Sequence, residues 1–375
     1  MSNIRVSKSC IGEAEKKAVM KVLEREFLGM GEEVKAFEEE LSYFFGRPAV
    51  CVVNGTAALH LALQAADIGP GDEVLVQSLT YVASFQAISA TGALPIACDV
   101  DPTTVCIDLN DAKTRVTPRT KAIMPVHYAG GVGDLDGIYE FAKEHNLRVI
   151  EDAAHAFGTT YKDAVIGGFG DISCFSFDGI KNITSGEGGC IVTNDSIILQ
   201  KIRDARLLGV EQDTEKRFSG KRSWDPNVTA QGWRYHMSDI MAAIGREQLA
   251  NFAHFKSKRQ ELAKRYVELL KPVSLISIFE HNYDLVVPHI FVIKLNDGKK
   301  KEKLIEYLLE NGISVGIHYK PNHLLTYYDH GDKSVLPNAE NLYPKLLTLP
   351  LHPEICDKDV DYIVSVLVKG LRYVR

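Results

Sequence analysis

The 375-residue chain has no Cys-x-x-Cys pair and no cysteine/histidine spacing that would hold a metal, although it carries seven cysteines. Those seven (Cys10, Cys51, Cys98, Cys106, Cys174, Cys190 and Cys356) are odd in number and sit mostly in apolar runs. That argues against a disulfide framework and suits reduced core thiols. No run of about 18 apolar residues exists, so no membrane span is expected. Residues 1–8 lack the apolar core of a secretory signal, and the expectation is a soluble, cytoplasmic protein. Basic charge is not in excess either: the formal net charge is −6. Without a global positive field, nucleic acid and anionic membrane are poor partners, and an anionic ligand must be held by local arginines and backbone amides. No Gly-x-Gly-x-x-Gly follows the first strand candidate, which leaves a nicotinamide-dependent oxidoreductase without support. Repeats and low-complexity tracts are absent.

What is present is alternation. Residues 12–28 and 32–45 read as amphipathic helices with charged outer faces. From position 49 onward, strand candidates at 50–53, 73–76, 94–98, 122–126, 148–151, 172–177 and 190–193 alternate with helical stretches at 56–66, 82–91 and 134–145. This predicts a mostly parallel α/β sheet covered on both faces. A polar, poorly periodic insert spans 210–231, a kind of segment more often functional or disordered than a plain connector. One long helical pattern, 238–270, bridges to a smaller unit with strands at 286–295 and 313–319, a helix at 301–311 and a last helix from Asp357. The division expected is a large α/β domain over residues 1–250 and a small α+β domain over 251–375.

Ligands of such sheets bind beyond the carboxyl ends of the strands. Asn54, Asp152 and Lys181 all follow strand candidates, so they can converge. Lys181 lies between an apolar run, Cys174-Phe175-Ser176-Phe177, and a glycine-rich turn, Gly186-Glu187-Gly188-Gly189. A buried ammonium is costly, so a lysine there asks for a partner that uses its amine. A Schiff base with a carbonyl cofactor is the best-attested use, and it needs a lowered pKa. The turn's glycines are expected to let backbone approach a ligand closely. Pyridoxal phosphate enzymes use a lysine for the aldehyde and a carboxylate, here Asp152, for the pyridinium nitrogen.

The other candidates each have two readings. Asn54-Gly55-Thr56-Ala57 opens a helix and is either a phosphate cradle or an ordinary capped start. The Ser176 hydroxyl reaches the same phosphate or bonds neighbouring backbone. Asp152 faces the ring nitrogen or caps the segment after it. Tyr81 stacks on a flat heterocycle or packs in a core or interface. Lys216-Arg217-Phe218-Ser219-Gly220-Lys221-Arg222 closes over a diphosphate or is a solvated loop tip.

Taken together and in order, these residues resemble the sugar aminotransferases of the DegT/DnrJ/StrS type, and the similarity runs along nearly the whole chain. It is carried by Asn54-Gly55-Thr56-Ala57-Ala58-Leu59, Leu79-Thr80-Tyr81-Val82-Ala83, Glu151-Asp152-Ala153-Ala154-His155, the lysine segment, and Tyr235-His236-Met237-Ser238-Asp239. The resemblance implies the type I pyridoxal phosphate transferase fold, that of aspartate aminotransferase, with pyridoxal 5'-phosphate as cofactor. It implies that Lys181 bonds the cofactor aldehyde and later moves protons, that Asp152 pairs with the pyridinium nitrogen, and that Tyr81 stacks on the ring. Thr56, Ala57 and Ser176 match the phosphate-holding positions.

Two positions depart from the family pattern. His155 stands where many members have glutamine, close to the cofactor's phenolic oxygen. Arg234, in Gly232-Trp233-Arg234-Tyr235-His236-Met237-Ser238, replaces an asparagine that reaches the phosphate of the partner subunit's cofactor. An arginine there contacts that phosphate, the substrate's diphosphate or the donor's carboxylate. The pattern implies a homodimer with two shared active sites.

Members that dehydrate rather than aminate carry histidine in place of the lysine, and Lys181 argues against that activity. Intact Lys181, Asp152 and Ser176 argue equally against a catalytically silent regulator. The Met-Ser segment resembles C4-aminating members, whereas C3-aminating members tend to have Arg-Leu-Asp. The expected reaction is therefore transfer of the amino group of L-glutamate to a nucleotide-linked 4-keto-6-deoxyhexose, dTDP-4-keto-6-deoxyglucose first, in deoxyamino-sugar biosynthesis such as that of lipopolysaccharide O-antigen. C3 amination and GDP- or UDP-linked substrates are the alternatives. Lys216, Arg217, Arg222, His318, Tyr319 and His323 are candidate substrate contacts.

Overall fold

The computed structural model describes residues 3–219, 221, 225–329 and 335–373. Helices α1 (Glu13–Glu24) and α2 (Glu32–Phe45) come first. Strand and helix then alternate through β1 (Ala49–Val52), α3 (Gly55–Ala65), β2 (Glu73–Gln77), α4 (Val82–Ala90), β3 (Leu94–Cys98), α5 (Leu109–Arg115), β4 (Thr120–Met124), α6 (Leu135–His145) and β5 (Arg148–Asp152). A short hairpin, β6 (Thr160–Tyr161) and β7 (Ala164–Val165), precedes β8 (Ile172–Ser176) and β9 (Gly189–Thr193). Helices α7 (Ser196–Ala205), α8 (Asp213–Phe218), α9 (Asp239–Ala250) and α10 (Phe252–Leu270) follow. The chain ends in β10 (Ile276–Ile278), β11 (Phe291–Leu295), α11 (Lys301–Glu310), α12 (Pro337–Leu342), β12 (Leu346–Leu349) and α13 (Asp357–Tyr373).

The seven-stranded sheet runs β1-β9-β8-β5-β4-β2-β3, and β9 pairs antiparallel with both neighbours while the other pairings are parallel. Strand alternation assigns side chains to its two faces. Cys51, Leu75, Val149 and Phe175 pack toward α2, α6 and α9, whereas Val50, Val74, Val76 and Ile150 pack toward α3, α4 and α7. Both faces are therefore apolar, which is why β1, β2, β8 and β9 are buried along their whole length. The antiparallel sheet β10-β11-β12 has its own core, with Leu262 and Tyr266 of α10, Leu308 of α11 and Ile363 and Leu367 of α13. No helix among the described residues is long and apolar enough to cross a membrane. The cysteines are free: Cys51, Cys98, Cys106, Cys174 and Cys190 are buried, and Cys356 is exposed.

Several expected elements change shape. The single helix expected over 238–270 is two helices that meet at Asn251, whose φ −95° and ψ 5° end α9 and begin α10. The strand expected over 286–295 is β11 alone, because Pro288 has no amide to give a ladder. The flanking amides go elsewhere: Val287 N donates to Thr159 Oγ1 (3.0 Å) and His289 N to the Ala129 carbonyl (3.3 Å). Residues 313–319 form no strand. Gly316 pairs briefly with Thr348, and the chain then leaves the sheet edge. Both departures carry side chains toward the ends of the large sheet. The 210–231 insert contains α8 and an isolated bridge between Val210 and Val228.

Candidate active site

The carboxyl ends of β1, β2, β5 and β8 open on one cleft of about 390 Å³. Its lining includes Thr56, Tyr81, Asp152, His155, Ser176 and Lys181, all expected from the sequence. It also includes His318 and Tyr319, brought over it by the segment that leaves the small sheet. A larger open hollow of about 980 Å³, bordered by Glu33, Tyr43 and Arg246, receives none of the sheet's strand ends. Chemistry, not size, marks the smaller cleft.

Lys181 is set by the turns that follow β8. Its amide donates to the Asp178 carbonyl (3.0 Å), and Ile180 N donates to Asp178 Oδ1 (3.2 Å). Next door, Asn182 Nδ2 donates to the carbonyls of Phe157 (3.2 Å) and Val287 (3.3 Å), which fixes the loop against its surroundings. Burial, helped by Arg259, lowers the Lys181 pKa to about 8 against the opposing pull of Asp152 and Asp178. A neutral, nucleophilic amine is thus accessible near neutral pH. Its nearest polar neighbour is His289 Nε2 at 3.4 Å.

Asp152 caps the segment after it, and its carboxylate also lines the cleft. Its Oδ1 accepts from the Ala154 amide (3.2 Å), and its Oδ2 accepts from Ser84 Oγ (2.7 Å). Asn54 caps α3 by accepting from Ala57 N at 2.8 Å. That commits the Ala57 amide internally and leaves the earlier first-turn amides for a ligand. Ser176 is brought against this helix start because Gly55 has no side chain; a Cβ there would sit 2.8 Å from Ser176 Cβ. Gly188 and Gly189 serve protein packing instead of ligand approach. A Cβ on Gly189 would meet the Phe175 carbonyl oxygen at 2.6 Å and Asn54 backbone at 2.8 Å, and one on Gly188 would meet Ser185 Oγ at 2.0 Å. Only Gly186, at φ +83° with open space around it, keeps the freedom expected of the turn.

The His155 ring accepts from Ala129 N through Nδ1 (3.3 Å), so its proton is on Nε2, facing Tyr319 Oη at 3.1 Å. Burial, then the Lys181 and His318 charges, push its pKa well below the usual range. It is a neutral donor. His318 is lowered to about 4 by burial and by Lys181, and its Nδ1 lies 2.8 Å from Thr348 Oγ1. Tyr81 is 57% exposed at the head of α4, with its ring 5.6 Å from that of Tyr319.

The remaining candidates among the described residues do not line the cleft. Arg217 is paired with Asp213 at 2.7 Å on α8, and Lys216 lies on the same helix. His323 bonds Ser78 Oγ (2.7 Å) and reaches Glu340 (3.2 Å). Arg234 is exposed and bridged to Leu207. Arg222 lies outside the described residues. Sequence reasoning missed Ser84, His289 and Arg259. Ser84 had a signal, since it lies one turn beyond Thr80 at the head of α4, and the two hydroxyls are 3.1 Å apart. His289 and Arg259 had none beyond being polar residues in apolar or helical runs.

The site has what pyridoxal phosphate needs: an amine that can be neutral, a buried carboxylate, and a helix start with two hydroxyls beside it. His289 Nδ1, buried without a hydrogen-bond partner, adds unspent polar capacity.

Comparison with known proteins agrees. The model of the DegT/DnrJ/EryC1/StrS aminotransferase family matches residues 9–368. The chain is 39% identical over 372 residues to the spore coat polysaccharide biosynthesis protein SpsC of Bacillus subtilis (strain 168), covering 96% of each. Among solved structures it resembles a putative sugar aminotransferase from Streptococcus pneumoniae in its PMP-form (29% identity, TM-score 0.93, all of both chains). It also resembles Helicobacter pylori PseC, an aminotransferase involved in the biosynthesis of pseudoaminic acid (27% identity, TM-score 0.92, 99% of this chain and 100% of that one).

Proposed function

The chain belongs to the DegT/DnrJ/EryC1/StrS aminotransferase family, and from that premise we propose that it transfers the amino group of L-glutamate to C4 of a nucleotide-linked 4-keto-6-deoxyhexose. It is a pyridoxal-phosphate-dependent sugar transaminase. The observation that carries the reading is the Lys181 amine, lowered to about 8 in a cleft that also holds Asp152.

When bound, pyridoxal phosphate supplies an aldehyde that takes up an amine and a ring that withdraws electrons from the neighbouring carbon. Lys181 would hold that aldehyde, and its free amine would carry the proton taken from the donor's α-carbon and supply one to the sugar carbon that gains nitrogen. Asp152, held by Ser84 and the Ala154 amide, would pair with the ring nitrogen. The α3 start, Thr56 and Ser176 would hold the phosphate. Tyr81 would stack on the ring, and His155, His318 and Tyr319 line the same cleft.

Among the described residues, no arginine lines the cleft. A donor carboxylate and a sugar diphosphate both need cations, and a second copy of the chain is the proposed source of that charge. Exposed Arg234 is the residue it would contribute, and exposed Met20, Phe27 and Leu28 provide apolar area for the contact. The dTDP-linked sugar is the first candidate. The C4 assignment rests on the likeness of His236-Met237-Ser238-Asp239 to C4-aminating members. The role of the Bacillus relative in spore coat polysaccharide biosynthesis supports delivery of the amino sugar to a surface polysaccharide.

The test is direct. Purified enzyme is given L-glutamate with dTDP-4-keto-6-deoxyglucose or the 3-keto isomer, and the product is identified by mass and NMR. A 4-amino product is expected. A 3-amino product overturns the C4 assignment, and no amine transfer to either sugar overturns the substrate class.

A further inference from the structure

A guanidinium buried without a carboxylate is expensive, so its place needs a reason. Arg259 of α10 is 2% exposed, and among the described residues no carboxylate pairs with it. Its partners are backbone carbonyls from three segments. Nη1 donates to Pro288 (3.4 Å), His289 (3.1 Å) and Leu351 (3.4 Å), and Nη2 donates to Lys181 (3.4 Å). Nε has no hydrogen-bond partner. One side chain thus joins the lysine loop, the interrupted strand before β11 and the turn after β12.

We propose that Arg259 is a positioning residue, which clamps the carbonyls of Lys181 and His289 together so that the amine is presented at His289 Nε2, and which places an uncompensated positive charge behind that amine. The proposal rests on Lys181 being the reactive amine. The clamp matters because Lys181 and His289 meet only through side chains, while their backbones belong to separate segments. A fork that bonds both fixes their spacing in a way one donor cannot. The charge matters because a nearby cation disfavours the ammonium form. Arg259 adds to burial in lowering Lys181, against Asp152 and Asp178. The other groups facing the amine are the His155, His289 and His318 rings. Those facing the guanidinium are the Cys10 thiol and the His289 and His352 rings.

A purely structural tie between α10 and the small sheet would use the same contacts, so the test reads Lys181 itself. In the apoprotein, the Lys181 amine is titrated by the pH dependence of its acetylation with acetic anhydride, measured by mass spectrometry of the Lys181 peptide. Single-turnover rates with saturating L-glutamate are measured on the loaded enzyme. Arg259→Gln keeps amide donors and removes the charge; its Lys181 titration is expected to move up by about one pH unit. Arg259→Lys keeps the charge and gives up the fork. Its Lys181 titration is expected to stay near wild type while the single-turnover rate falls about tenfold.

Variants that melt earlier but keep the wild-type titration and turnover rate overturn the proposal. If Arg259→Gln is not recovered folded, Arg259→Lys decides alone: an unchanged rate overturns the clamp, and a selective loss of rate supports it. These readouts need no sugar, so a wrong substrate assignment leaves them intact.

Discussion

Lys181 Nζ stands 3.4 Å from His289 Nε2, and the other nitrogen of that ring is buried without a partner. Protonating the ring would place two cations side by side in a site with little water. Burial, followed by the Lys181, His155 and Arg259 charges, pushes the His289 pKa well below its usual range. The pair is therefore a neutral imidazole facing an amine that is itself easily neutral. This explains how a lysine can be ready for carbonyl chemistry without a base of its own.

Attachment of the cofactor aldehyde to apoprotein should follow the neutral fraction of Lys181. Its rate is expected to rise with pH and level off above about 8, whereas an ordinary lysine would keep climbing to about 10.4. Stopped-flow absorbance between pH 6 and pH 11 (roughly bracketing both values) distinguishes the two. Lys181→Ala should show no covalent attachment and no turnover. A variant that still transfers amino groups would remove Lys181 from the mechanism.

The same depressed groups dictate how apoprotein stability depends on pH. Lys181 is lowered in the folded state, so the unfolded chain holds more protons between about 8 and about 10.4. Stability from this residue rises with pH across that window, by about 3 kcal/mol when complete. On the acid side His236, His281 and His318 are each lowered to about 4 by burial, and His155 and His289 lie well below the usual value. Their contribution is whole above about 6.5, the unfolded value, and is lost as pH falls toward 4. Melting temperatures measured down this range should fall steeply, and His318→Asn should flatten the fall. A variant as acid-sensitive as wild type would count against the assignment to this residue.

Ser84 donates to Asp152 Oδ2 at 2.7 Å inside the protein, where hydrogen bonds to charged groups are strongest. Ser84→Ala leaves that oxygen without its donor and should cost about 2 kcal/mol of apoprotein stability. Cofactor retention should fall as well, since the carboxylate loses one of the two bonds that fix its plane. Ser84→Thr keeps the hydroxyl and should recover both. Equal denaturation midpoints for Ser84→Ala and wild type would show that the bond does not hold Asp152.

Much of this arrangement is legible in the sequence because its physics is local. β1, β3, β5 and β8 appear within a residue or two of where apolar, β-branched runs place them; Asn54, Asp152 and Ser176 fall at or just past strand ends that a doubly covered sheet must bring together, with Lys181 in the turns after β8. What is not legible depends on distant partners. Residues 313–319 look like a strand, yet they make only two isolated bridges, Ile313 with Ile4 and Gly316 with Thr348. Val287 and His289 look like strand residues too, but their amides are claimed by Thr159 and Ala129. His289 reaches Lys181 only through that long-range departure, and Arg259 does so across the fold from α10. Gly188 and Gly189 were legible as necessary glycines, but not for the right reason, since Ser185, Phe175 and Asn54 occupy the space beside them.

Gly55 tests the phosphate cradle through shape alone. An alanine Cβ there would lie 2.8 Å from Ser176 Cβ and 3.2 Å from its Oγ, so either the α3 start or the end of β8 must retreat. The rest of α3 is anchored by Leu59, Leu61 and Leu63, each at most 3% exposed, so the fold should survive. The loss should fall on cofactor binding: about tenfold weaker retention of pyridoxal phosphate, equivalent to about 1.4 kcal/mol, with weaker competition by inorganic phosphate. Gly55→Ala combined with Ser176→Gly removes the clash together with the hydroxyl. The double variant should therefore lose less than the two single losses added together. Strict additivity, or wild-type affinity in Gly55→Ala, would mean that the contact between Gly55 and Ser176 does not shape the cradle.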